Sequence, residues 1–221
     1  MHDDYLMTGC YGVDNDTWQG VFYDDDLPGE WRIAFYSTLL RSVLLPVNEW
    51  HMAIDQDWAA EVDDDFRFLL QIDDEVDDSA IITELAELPE EFSSRVAGVV
   101  VSCDASNIAN RKALIQAIRK LYPVCVDTGA QDSPGPEIEE YCRSENLSRA
   151  WYPAQQASPL PAGDLLVTFI SGESLPEQRD IISQIAGWLN ERRSAGLINT
   201  SAQDAPVRAQ ETRVLAELMG V

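Results

Sequence analysis

The chain reads as an α/β protein, a TIM-like (β/α)8 barrel with a short or missing sixth helix. Three observations predict this. Eight short apolar runs alternate with amphipathic stretches along the whole chain, the pattern of a parallel sheet covered by helices. Thr8 to Pro46 reads as strand, aromatic-rich loop, helix and strand, which is one right-handed βαβ unit. The 221 residues show no internal repeat and no linker, so residues 1–221 are expected to form a single barrel domain near the low end of the size range for that fold. A doubly wound open sheet is the competing arrangement.

Each element has a local reason. Tyr5 to Thr8 is the first strand candidate, followed by a Gly9-Cys10-Tyr11-Gly12 turn and a loop from Val13 to Asp26. A helix over Gly29 to Leu40 places Trp31, Phe35 and Leu39 on one face, and Trp18, Phe22 and Trp31 are expected to pack as one cluster. Ser42 to Val47 is the second strand. Trp50, Ile54 and Trp58 recur every four residues, which predicts a helix over Asn48 to Val62. Phe66 to Ile72 is the third strand, and Ser79 is the expected N-cap of the next helix. Pro89 kinks that helix or starts a second short one through Arg95. Val96 to Ser102 is the clearest buried strand.

A helix from about Asn107 to Leu121 carries Arg119 and Lys120 in its last turn, where they complement the dipole, and Pro123 stops it. Val124 to Val126 is the fifth strand and Pro134 to Asn146 the next helix. Arg149 to Tyr152 is a weak sixth strand, and Ala154 to Gly163 is a loop rather than a helix. Leu165 to Ile170 is the seventh strand. Ser174 and Glu177 match a capping box around Pro176, opening a helix through Arg193 that ends at Gly196. Leu197 to Asn199 closes the strand set. Asp204 is the expected cap of a final helix with a stripe of Val207, Val214, Leu215 and Leu218.

Composition narrows the function classes. Asp and Glu number 39 against 15 Lys and Arg, a formal charge of −24 and a pI near 4.1. Such a surface repels nucleic-acid backbones and anionic lipid, so neither is an expected partner. Solubility is the ordinary reading of that charge; a docking surface at Asp63 to Asp65 or Asp73 to Asp78 for a basic protein is the other. Met1 to Asp4 has neither a basic nor an apolar leader region, and no run reaches the ~18 apolar residues of a membrane span. Cys10, Cys103, Cys125 and Cys142 are scattered and read as reduced, mostly buried thiols. The expected location is cytoplasmic.

The motifs of the first unit carry a resemblance. Its G-x-x-G at Gly9 to Gly12, W-x-G-x-F-Y at Trp18 to Tyr23, Leu27-Pro28 and Phe35-Tyr36 resemble the opening of the domain-of-unknown-function-72 barrels, the YecE-like proteins. Fainter echoes follow at Phe66 to Phe68, at Asp164 to Gly172, and at Leu197 to Asn199 with Ala205-Pro206. The resemblance implies a TIM-like barrel and no settled activity. It also implies a diverged site. The family's second-strand V-E-x-N is here Val43 to Pro46, and its third-strand lysine is Gln71. Its threonine-histidine pair falls in the acidic run Asp73 to Asp78. Its seventh-strand arginine and histidine fall near Thr168 and Ile170. At the fifth strand an acid survives as Asp127, with Gly129 where an arginine stands.

A TIM-barrel site lies at the C-terminal strand ends. The residues there give the candidate pocket: Asp14, Asp16, Trp18, Asn48, Gln71, Asp104, Asp127, Tyr152, Ser171 and Asn199. Several carboxylates converging at one mouth can bind Mg²⁺ or Ca²⁺. Asp and Asn are equally common at such ends for capping and turns, and no metal ligand set or cofactor motif is identified. Histidine chemistry has only His2 and His51 to draw on, with no triad or zinc spacing. Cys103 at a strand end beside Asp104 is a conceivable nucleophile, but a neighbouring carboxylate raises a thiol pKa, which favours an inert cysteine. Ser171 to Ser174 sits where barrels often hold phosphate, but Glu173 opposes an anion. Trp18, Phe22, Tyr23, Trp31 and Tyr36 either line a ligand pocket or plug the first loop onto the first helix. The expected function is therefore a non-catalytic barrel binding a small ligand or a protein partner. The alternative is a divalent-metal-dependent hydrolase using Asp14, Asp16, Asp104 and Asp127.

Overall fold

The computed structural model describes residues 6–73, 77–130, 135–155, 162–189 and 193–221. Its strands are β1 (Leu6–Tyr11), β2 (Ser42–Leu45), β3 (Arg67–Ile72), β4 (Val96–Ser102), β5 (Val124–Asp127), β6 (Ser148–Arg149), β7 (Leu165–Ile170) and β8 (Ser194–Asn199). Its helices are α1 (Arg32–Leu39), α2 (Val47–Asp55), α3 (Trp58–Glu61), α4 (Asp78–Ala86), α5 (Glu90–Ser93), α6 (Ile108–Ile118), α7 (Pro136–Glu145), α8 (Leu175–Trp188) and α9 (Ala205–Met219). All pairings are parallel, in the order β6-β5-β4-β3-β2-β1-β8-β7. The ring then nearly closes at Trp151, whose N–H donates to the Val167 carbonyl at 2.9 Å while its carbonyl accepts from Phe169 at 2.8 Å. The fold is a TIM-like (β/α)8 barrel. Among the described residues no helix separates β6 from β7, where the sequence predicts a short or missing one; residues 156–161 of that loop lie outside the description.

The barrel interior is a packed core. Met7, Leu44, Leu69, Val100, Cys125, Ala150, Val167 and Ile198 form one buried cluster, one residue from each strand or its immediate end. Alternate residues face the helices, as the pleat requires. Gly9 is dictated by close approach: a Cβ there would lie 1.9 Å from the Ser42 carbonyl oxygen. Cys10, Cys103, Cys125 and Cys142 are buried cysteines outside any disulfide among the described residues. Burial pushes Cys10 up to about 12 and Cys142 up to about 11, which leaves both unreactive.

Several local expectations are corrected. β1 runs on to Tyr11, so Gly9 to Tyr11 is strand and not turn. The helix expected over Asn48 to Val62 is two, parted where Asp57 takes a left-handed φ of 54°. Asp77, not Ser79, caps α4, accepting from the N–H groups of Ser79 and Ala80 at 3.0 and 2.9 Å. Pro89 begins a second short helix rather than a kink. The capping box at Ser174 forms, but α8 ends at Trp188 and Gly196 lies inside β8, where a Cβ would meet Leu69 at 2.6 Å.

The final helix buries a face other than the expected stripe. Ala205, Ala209, Thr212 and Ala216 face inward, while Val214 and Leu218 are exposed. Small residues let α9 lie close on the sheet, and Thr212 Oγ1 donates to Gln178 of α8 at 2.8 Å.

Trp31 is likewise outside its expected cluster. It ends a 3₁₀ turn and is 62% exposed, whereas Trp18 is 2% exposed. Rings at Trp18, Phe22, Tyr23, Phe35 and Tyr36 pack edge to face or tilted, with centroids 4.8–6.4 Å apart. Two phenols stitch this plug to the barrel: Tyr23 donates to the Val13 carbonyl at 2.8 Å, and Tyr36 to the Ser42 carbonyl at 3.1 Å. The aromatics of the first loop are a structural plug, and Trp18 lines no mouth.

Candidate functional site

The C-terminal end of the barrel is assembled by simple alternation. Leu69 and Val100 point inward, so Gln71 and Ser102, two residues further along β3 and β4, face the mouth. The same step carries Cys125 to Asp127 and Ala150 to Tyr152. Pairing of Ser102 with Asp127 sets the last rung. Tyr152 stacks on Phe169 of β7, with centroids 4.9 Å apart and planes 19° from parallel.

Asp127 is the buried acid of this mouth, 9% exposed. Both hydrogen bonds it accepts fall on Oδ1: from the Gly129 N–H at 2.8 Å and the Tyr152 hydroxyl at 2.9 Å. Burial raises its pKa; these two donors work against that, and Asp73 adds to it. Tyr152 is pushed well up in turn, first by burial and then by the Asp127 charge, so it stays a hydroxyl donor. Gln71 is 8% exposed. Its Nε2 reaches Ser102 Oγ at 3.5 Å, and its Oε1 is buried without a hydrogen-bond partner. Thr128 Oγ1 is in the same condition.

Tyr11 and Glu49 complete the rim. Burial raises the Tyr11 hydroxyl, and the charges of Asp73, Glu49 and Asp127 raise it further. Glu49 of α2 accepts from the Val13 N–H at 3.2 Å, and burial raises its carboxyl. Gly12, at a φ of +71°, leaves room for that carboxylate.

The candidate residues read from the sequence divide sharply. Gln71, Asp127 and Tyr152 face the mouth. Asp14 is exposed and paired with Arg32. Asp16 and Asn48 are exposed on the first 3₁₀ turn and on α2. Asp104 is an exposed turn-former accepting from Ser106 and Asn107 ahead of α6. Ser171 is exposed, and its N–H donates to Glu173 at 2.7 Å. Asn199 is buried but pairs in register with Cys10 on the helix-facing side, accepting from the Ser201 N–H at 3.0 Å. Asp14, Asp16, Asp104 and Asp127 therefore do not converge. Among the described residues no three His, Cys, Asp or Glu side chains group as a metal site.

Other expected features lie elsewhere. His51 sits on the helical layer against Glu84 at 2.9 Å, while His2 and Asp74 to Val76 fall outside the described residues. Thr168 and Ile170 alternate with inward Val167 and Phe169, and Ile170 packs among the helices. Among the described residues no helix is long and apolar enough to cross a membrane.

Tyr11, Glu49 and Phe169 are the mouth residues that sequence reasoning missed. Extending the first strand three residues would have placed Tyr11 in phase with Met7 and Gly9. No family model and no curated protein matches the chain, so what is established of its kinship is architectural: a TIM-like (β/α)8 barrel.

Proposed function

We propose that the protein is a non-catalytic binding barrel, a diverged relative of the YecE-like family, whose C-terminal mouth holds a small ligand. One observation carries this reading: Gln71, more than nine-tenths buried at the C-terminal end of β3, has an amide oxygen without a hydrogen-bond partner. A buried polar atom left unpaired costs about 1–3 kcal/mol, a cost that a bound ligand removes. The non-catalytic half of the reading rests on the company Asp127 keeps. Its hydrogen-bonding side chain is a phenol held protonated, and His51 is on the far side of the helical layer. General acid–base catalysis is most efficient with a group whose pKa lies near the working pH, and the Tyr152 phenol is held far above it.

A thermal-shift screen of small polar metabolites tests the reading. At least one compound should raise the melting temperature of the wild type and not that of Gln71→Leu. A screen without such a compound would refute the binding mouth, and chemical turnover of the compound would refute the non-catalytic assignment.

A further inference from the structure

We infer that the ligand of this mouth is a small organic ammonium ion; this rests on the binding reading above and names its chemical class. Among the described residues, two side chains at the opening keep an acceptor in hand. Asp127 spends Oδ1 on the Gly129 N–H and the Tyr152 hydroxyl, leaving Oδ2 as its open acceptor. Gln71 offers a second acceptor, the unpartnered Oε1. With Nε2 directed to Ser102 Oγ, the atom left to be satisfied is the amide oxygen, an acceptor.

Charge decides the class. The buried Asp127 carboxylate stands at the opening with its two accepted hydrogen bonds on one oxygen only, so an anion entering here meets an acid. An ammonium group instead satisfies Asp127 Oδ2 and Gln71 Oε1 together. These are charge-assisted bonds, about twice as strong as neutral ones. The stacked Tyr152 and Phe169 rings supply an apolar wall for the carbon chain and a negative face for the cation. A bare metal ion is poorly served, because the described acids do not form a ligand group. An alkylammonium needs only directed acceptors and an apolar wall.

Calorimetric titration of the whole chain with butylammonium, 1-butanol and butyrate separates the classes. Butylammonium should bind one to one and at least about tenfold more tightly than the alcohol, the ratio expected when one charged hydrogen bond is lost. Asp127→Asn should abolish that preference, since an amide keeps both accepted bonds but not the charge. Gln71→Leu should weaken ammonium binding several-fold, and Asp14→Asn, at an exposed acid outside the mouth, should change nothing. If Asp127→Asn does not fold, Gln71→Leu alone carries the comparison. Equal binding of ammonium and alcohol, no binding of the ammonium, or ammonium binding that survives both mouth substitutions overturns the inference. One-to-one binding of the alcohol or butyrate, lost in Gln71→Leu, overturns the ammonium class while leaving the mouth as the binding site.

Discussion

The two ends of the barrel handle the same excess of negative charge in opposite ways. At the N-terminal end of β2, β3 and β4 three arginines are fully engaged. Arg41 pairs with Asp65 at 2.9 Å, Arg95 donates to the Asp63 carbonyl at 2.7 Å and reaches Asp64, and Arg67 donates to the carbonyls of Asp64 and Phe66. At the C-terminal end, Asp127 and Gln71 face inward with a phenol, a backbone N–H and a serine for company. Three arginines thus lie against the acidic run Asp63 to Asp65, two of them through backbone carbonyls. The mouth is where an electrostatic demand is left open. In barrel scaffolds generally the C-terminal end is where sites are built and the other end serves stability, and the asymmetry follows that division.

The interior of one strand gives the largest test. Leu69 is fully buried in the barrel core, and Leu69→Ala should cost about 2–5 kcal/mol by chemical denaturation. A cost below that range would mean the interior is loosely packed, and the contrast between core and mouth would vanish.

Asp127 sharpens the mouth's side of the comparison. Its folded pKa is raised above the ordinary carboxyl value, chiefly by burial. The protonated form therefore favours folding below about pH 4, and that contribution is lost as pH rises through the folded value. Asp127→Asn keeps both accepted hydrogen bonds and removes the charge. It should stabilise the protein at pH 7 by about 0.5–2 kcal/mol, with the advantage shrinking toward pH 4. A variant less stable than wild type at pH 7 would reveal a compensating cation at the mouth and sink the asymmetry.

Gln71→Leu is the milder companion test. Replacing a poorly paired buried amide with a slightly smaller apolar side chain should shift stability by no more than about 1 kcal/mol in either direction. A loss of several times that, by the same denaturation measurement, would show the amide to be well satisfied in solution.

Much of the barrel was legible because its signal is periodic and local. Val96 to Ser102 and Leu165 to Ile170 are apolar runs too short for helices, and both are strands as read. The capping box at Ser174 depends on three neighbouring residues and formed as expected. What failed depended on which face meets the sheet. Trp31 and Leu218 look like core by hydrophobicity, yet 62% and 81% of their surfaces are exposed. Ala209 and Ala216 instead bring α9 against the barrel because they are small.

The site was half legible for a related reason. Strand ends mark the mouth, so Gln71, Asp127 and Tyr152, which face it, are readable from the chain. Chain position alone does not say which end residues turn inward. Asp104 and Asn199 occupy strand ends in sequence and make turn bonds in space. Only the strand phase, inward at Met7 and Gly9, would have admitted Tyr11.

The smallest effect belongs to the N-terminal end. Arg41 approaches both carboxylate oxygens of Asp65, at 3.1 and 2.9 Å, yet the Asp65 side chain is 48% exposed. Water screens such a pair, and holding two long side chains in one geometry costs entropy, so exposed pairs contribute about 0.2–1 kcal/mol. Asp65→Asn should fall in that range, and added salt should shrink it further, because the Debye length drops to roughly 3 Å at 1 M. Removing an acid from so negative a chain also relieves general repulsion, which pulls the net cost toward the lower bound. The contrast with Asp127→Asn is in sign as well as size: the same change should cost stability where an arginine answers the carboxylate and add it where only a phenol and a backbone N–H do. Denaturation curves of the two variants at low and high salt read both quantities, and a stabilising Asp65→Asn would mean the arginines at that end do not balance its acids.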